Sequence, residues 1–149
     1  MSVKILALLI AAGSGVIMAV QGTLNTALSK VTGLLGATFI VYVTGFVLLA
    51  ALLLVFPPDK GLSSLLGAPW YTYLGGFLGI LIFYGVMRSI PKVGVAPATT
   101  AIILGQVLTA GLIDHFGLFG MGRSPFTWQK LAGTLLMAAG AWLLLKKQV

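Results

Sequence analysis

Residues 5–30 read ILALLIAAGSGVIMAVQGTLNTALSK, and the fold follows from the contrast within that stretch. Up to Val20 it holds no charge and a single hydroxyl, Ser14. A bilayer core of ~30 Å takes roughly 20 such residues as one helix. Gln21 and Asn25 then come before the first flanking cation, Lys30. At 3.6 residues per turn Ser14, Gln21 and Asn25 fall within about 40° of one another, so they form one polar stripe. Polar groups in hydrocarbon need partners and therefore face a bundle interior or a wet cavity. The competing reading is interhelical glue, worth ~0.6 kcal/mol per contact. Two carboxamides one turn apart exceed what glue requires.

The rest of the chain repeats the pattern. Hydrophobic residues make up 59% and charged residues 7%, with a mean hydropathy of +1.11, against roughly 25% charged in a soluble domain. Apolar runs bounded by charges, glycines and prolines predict five transmembrane helices, over residues 3–28, 34–56, 70–88, 93–113 and 128–145, in a single transmembrane domain covering 1–149. "FPPDKG" closes the second span and "RSIPKVG" reads as a tight cationic turn after the third, which Trp70, Tyr71 and Tyr73 open as an interfacial belt. The first span is longer than the apolar region of a secretory signal and has four others to pack against, so it reads as a helix of the fold.

The formal charge of +7 comes from nine Lys/Arg against Asp59 and Asp114. These cations sit thinly at the ends of apolar runs, as bilayer-flanking residues do, which excludes a nucleic-acid surface. Lys4, Lys60, Arg123 and Lys130 fall on one side of the membrane, and Lys30, Arg88, Lys92, Lys146 and Lys147 on the other. So even a distribution leaves orientation unspecified and predicts dual topology. The alternative is a single orientation with the Lys30 side cytoplasmic. An odd number of spans also puts the termini on opposite sides, so two copies joined head to tail would be inverted relative to each other, as the repeats of secondary transporters are. Five helices alone enclose too little, so the chain is expected either to pair with itself upside down or to need a partner.

With no Cys, no Glu and one His, the chain offers no paired carboxylates, metal cluster or catalytic triad; no enzyme activity, metal or cofactor is expected. Gln106 is the polar group of the fourth span, beside Gly105 and in the company of Thr99, Thr100 and Thr109. Pro97 either kinks that helix or lies harmlessly in its first turns. Asp114 lies about ten residues, roughly 15 Å, from the span's centre, which suits a boundary cap or an ion pair with Arg123. Gly75 and Gly79 have the small-residue spacing of close helix packing, and Gly133 and Gly140, seven apart, suit a dimer seam. The expected substrate-binding residues are Gln21, Asn25, Gln106, Ser14 and Tyr42.

These residues together resemble the YdcZ-type branch of the drug/metabolite transporter superfamily, a family of short five-span bacterial membrane proteins. The resemblance is carried by Gln21-Gly22 with Leu24-Asn25, Phe39 with Gly45, Pro69-Trp70 with Gly75, Gly76 and Gly79, Pro91 with Gly94, and Pro125 with Lys130, Gly133 and Gly140. Its most specific elements are Gly105-Gln106 and "DHFGLFG" at 114–120. It implies an all-α integral membrane protein of the inner membrane, half of a ten-helix inverted-repeat transporter, pairing as an antiparallel homodimer or with a related chain. Small multidrug-resistance relatives carry a glutamate in the first helix, whereas this chain has no acidic residue between Met1 and Phe56. A neutral or zwitterionic solute is therefore expected in place of a hydrophobic cation. The competing functional classes are a small dual-topology channel, in which the same polar residues line a pore, and a non-transporting accessory subunit.

Overall fold

The computed structural model describes residues 3–57, 61 and 67–146, together with the backbone alone at 145. Lys60, Asp59 and Lys147, which enter the charge balance, lie outside the described residues. Among those described the fold is helical without a strand. Its helices are α1 (Val3–Val55), α2 (Leu74–Val93), α3 (Val95–Phe116) and α4 (Trp128–Lys146), with short 3-10 turns at Trp70–Tyr73 and Leu118–Gly120. Three segments are long and apolar enough to cross a membrane, namely Val3–Val55, Trp70–Val93 and Val95–Phe116. Side chains such as Leu8, Val16 and Leu54 are exposed, a distribution stable only where the surrounding medium is itself apolar.

α1 is where expectation and structure part most. Its 53 residues amount to about 80 Å at 1.5 Å per residue, over twice a ~30 Å bilayer core. A single residue divides it: Gly33 has φ 75° and ψ 166°, a region essentially restricted to glycine. The arms are 3–32 and 34–55, in place of spans ending at 28 and starting at 34 with a loop between. The connection shrinks to one residue: the helix continues through Ser29 and Thr32, whose hydroxyls donate back to the carbonyls of Thr26 (2.8 Å) and Leu28 (3.0 Å).

The "RSIPKVG" turn is likewise helical. α2 runs on through Arg88 and Pro91 to Val93 and stops at Gly94, with φ 88° and ψ 166°, nearly the conformation of Gly33. Pro91 lies in the last turn, where it forfeits one backbone bond, to the Met87 carbonyl, and Lys92 is favourably placed at a helix C-terminus. Pro97 is the third residue of α3, so it interrupts no intrahelical bond and produces no kink. α3 extends three residues past its expected end, taking in Asp114 and His115.

The contacts divide the chain into two compact units, Met1–Pro91 and Lys92–Val149. In the first, both arms of α1 touch α2. A Cβ on Gly22 would meet Val86 at 3.2 Å and Ile90 at 3.7 Å, and Met87 and Ile90 beside them are buried. On the other arm Tyr42 donates its hydroxyl to the Gly76 carbonyl (3.1 Å) and sets its ring edge-on to Phe83, centroids 5.5 Å apart. A Cβ on Gly79 would overlap that hydroxyl, whereas one on Gly75 would meet nothing within 4 Å. The close approach expected of Gly75 and Gly79 is thus made by Gly76 and Gly79, because the Tyr42 knob lands one residue further along.

In the second unit α3 and α4 run antiparallel, with Asp114 beside the Lys130 end and Thr100 beside the Leu144 end. The connection folds back on α3. Gly117, left-handed at φ 64°, caps the helix, and Phe126 lies so close over Gly111 that a Cβ there would come within 2.8 Å of its ring.

Candidate functional site

The polar stripe of the first arm is continuous helix, so Ser14, Gln21 and Asn25 share a face, but their environments differ. Ser14 is exposed and spends its hydroxyl on the Ile10 carbonyl at 3.0 Å. Gln21 is exposed and makes no hydrogen bond among the described residues. Asn25 is only 6% exposed, and its carboxamide also finds no partner among them. No described side-chain atom is both sealed and unpartnered, so the Asn25 amide atoms keep a residual opening. An amide in that position would cost about 1–3 kcal/mol if nothing ever bound to it. Next to it Thr26, equally buried, donates to the Gly22 carbonyl at 2.8 Å and is satisfied.

Tyr42 lies on the second arm, its hydroxyl committed to α2 and its ring half-buried against Phe83. The structure thus places it as a packing knob, with one phenol lone pair left to accept from elsewhere. Gln106 belongs to the second unit. It is exposed and unbonded among the described residues, and at 100° per residue it points about 100° away from Val107, off the face that α3 turns toward α4.

That α3–α4 face holds two clefts missing from the expected site. One, of about 370 Å³, is lined by Val107, Gly111 and Asp114 from α3 and by Lys130, Gly133 and Thr134 from α4. The other, of about 550 Å³, lies between Thr100 and Ile103 on one side and Gly140 and Leu144 on the other, and Met137 lines both. Gly133 and Gly140, the expected seam, therefore face open clefts, and a Cβ on either would meet nothing within 4 Å. The signal was present as a heptad-like spacing, 100–103/104–107–110/111–114 on α3 and 130–133/134–137–140/141–144 on α4, each stripe ending in a charge.

The charged end is held by a knot of hydrogen bonds. The Ser124 amide donates to the Asp114 carbonyl (2.8 Å), the Phe126 amide to His115 Nδ1 (3.0 Å) and Arg123 Nε to the His115 carbonyl (3.1 Å). Accepting at Nδ1 leaves the His115 proton on Nε2. Arg123 is thereby turned to a carbonyl, and the ion pair expected between it and Asp114 does not form. Lys130 Nζ donates to Ser124 Oγ at 2.9 Å.

Among the described residues no group of three or more potential metal ligands occurs. What the arrangement presents chemically is unbonded, uncharged carboxamides on an apolar helix, together with a charged cleft at a helix-pair end. No curated relative and no solved structure matches the chain. A family described as "Putative inner membrane exporter, YdcZ" matches residues 6–143, nearly the whole sequence and both units, and the chain therefore belongs to the YdcZ family of inner-membrane transport proteins.

Proposed function

We propose that the chain is a small-solute exporter of the bacterial inner membrane that works by alternating access as an antiparallel, dual-topology dimer. The five crossings of each copy are the two arms of α1, then α2, α3 and α4. With five crossings the termini lie on opposite sides, so an inverted partner, a second copy or a related chain, supplies the complementary half. The substrate site is lined by uncharged polar side chains. Asn25 and Gln21 are the residues of the first unit that line it, while Ser14 and Tyr42, already bonded to backbone, are held as supporting candidates. Gln106, considered by itself in the second unit, is a further uncharged polar candidate for solute binding.

The observation that carries this reading is the Asn25 carboxamide, buried to 6% exposure and unpartnered, in a family of membrane exporters. Packing glue would be bonded to a neighbouring helix. A ligand-binding amide waits unbonded, and since it both donates and accepts, it suits a neutral or zwitterionic solute.

Asn25→Leu separates the two roles. Replacing an unpartnered buried amide by an apolar side chain of similar size leaves stability unchanged or raises it by about 1 kcal/mol, while solute flux in reconstituted vesicles falls to background. An Asn25→Leu protein that loses stability yet still transports would overturn the assignment and return Asn25 to packing.

A further inference from the structure

The α3–α4 clefts belong wholly to the second unit and play no part in the proposed amide site. Their chemistry is graded along the helices. At one end Asp114, in the last turn of α3, and Lys130, in the first turn of α4, line the same cleft. Among the described residues the Asp114 carboxylate accepts no hydrogen bond and joins no ion pair. Lys130 spends one ammonium donor on Ser124 Oγ and keeps two. From there inward the lining becomes apolar, through Val107 and Met137 to Ile103 and Leu144. Gly133 and Gly140 keep it open, with 4 Å of free space where their side chains would stand.

Depth and length fit the bilayer. Trp128, two residues before Lys130, is of the residue type enriched at membrane–water interfaces, and the proposed arrangement sets both charges at headgroup level. From Lys130 to Leu144 is 14 residues, about 21 Å of helix, enough to span one ~15 Å hydrocarbon leaflet.

We propose that the α3–α4 furrow is a lipid site selective for a headgroup that carries a primary ammonium beside a phosphate: Asp114 takes the ammonium, Lys130 the phosphate, and one acyl chain lies along the furrow past Gly133 to Gly140. Charge complementarity favours this occupant over a second copy of the chain. An inverted copy centred on Met137 would lay Leu143 and Leu144 against Asp114 and Lys130, stripping water from two charges without pairing them. A parallel copy would set Lys130 against Lys130. An aminophospholipid satisfies both charges and fills the apolar remainder.

The test is native mass spectrometry of the purified full-length chain titrated with dioleoyl phosphatidylethanolamine, phosphatidylcholine and phosphatidylglycerol. The ethanolamine lipid is expected to bind about 10-fold tighter than the choline lipid, whose quaternary ammonium cannot donate a hydrogen bond. Asp114→Asn, nearly isosteric, abolishes that preference while total phospholipid binding persists; Lys130→Met weakens all three lipids together. Equal binding of ethanolamine and choline lipids by the unmodified chain overturns the proposal. So does binding of tail-free phosphoethanolamine as tightly as the lipid, which would make this a soluble-ligand site. A second copy as occupant is read from Met137→Cys, the sole cysteine in the chain. Ready disulfide formation between copies in vesicles overturns the lipid assignment, and its absence under oxidising conditions that crosslink a surface-cysteine control supports it.

Discussion

The contact between Tyr42 and Gly79 makes the most exacting demand on the first unit, and it can be tested as a double-mutant cycle. A methyl at residue 79 would overlap the Tyr42 hydroxyl while standing 3.4 Å from the ring carbon Cζ, an ordinary contact. Gly79→Ala therefore expels the hydroxyl or the whole ring. That forfeits the bond to the Gly76 carbonyl, ~0.6 kcal/mol in a bilayer, and the edge contact with Phe83, about 1 kcal/mol. Overpacking raises the total to roughly 2 kcal/mol, against which alanine in a helix returns about 1 kcal/mol, for a net destabilisation of about 1 kcal/mol. Tyr42→Phe alone loses only the hydroxyl bond, ~0.6 kcal/mol. Together the two changes relieve each other. The ring stays, the clash goes, and the alanine gain of about 1 kcal/mol brings the double variant back to the unmodified stability or slightly above. The coupling energy is then about 2 kcal/mol, well beyond the ~0.5 kcal/mol within which independent sites add. Reversible unfolding in mixed micelles by dodecyl sulfate titration measures all four corners. Gly75→Ala, with open space around it, serves as the control and is expected to be neutral or up to ~1 kcal/mol stabilising. Additivity of Gly79→Ala and Tyr42→Phe would refute the contact, and a Gly75→Ala protein as damaged as Gly79→Ala would refute its register.

Gly33→Ala is expected to cost about 1–3 kcal/mol, since φ 75° with ψ 166° lies where side chains are strained; micelle unfolding measures it, and a neutral result would mean the break does not depend on that conformation. Gly111→Ala pushes a methyl against the Phe126 ring, 2.8 Å away, and breaks the bond from the Phe126 amide to His115. Faster hydrogen exchange at the amides of 124–126 is the expected readout, with unchanged protection there counting against the knot. For dual insertion, Ser64→Cys should label from both sides of sealed vesicles, and one-sided labelling would leave a single orientation.

The all-helical character was legible because a bilayer-length criterion selects long apolar runs. Apolar runs bounded by cations place α3 and α4 nearly where they are, to within three residues at each end. The helix breaks were less legible, for a physical reason. Pro91 and the cluster Arg88–Lys92 look like punctuation, yet a proline in the last helical turn costs one hydrogen bond and cations there are welcome. The breaks fall where a glycine leaves the right-handed basin. With 20 glycines in the chain, composition cannot say that the two are Gly33 and Gly94, because that choice rests on the packing of the flanking helices.

The candidate site shows the same division between what spacing fixes and what packing decides. The period of an α-helix puts Gln21 and Asn25 on one face whatever surrounds them. It cannot say that Asn25 is the buried member, because burial depends on which helix packs on that face; Gly22, one turn before it, lets Val86 and Ile90 of α2 come close. Nor could it show that the Tyr42 hydroxyl is occupied, since the acceptor is a backbone carbonyl 34 residues away. Distance along the helix puts Asp114 near the end of its apolar run, and the structure places it in the last turn of α3. Its lack of a partner follows from Arg123, the nearest cation in sequence, being drawn instead to the carbonyl of His115. A carbonyl at a helix C-terminus carries the negative end of the helix dipole, so the guanidinium meets negative potential without reaching the carboxylate. That one choice of acceptor leaves Asp114 free to face the cleft, and turns an expected structural ion pair into a group able to bind.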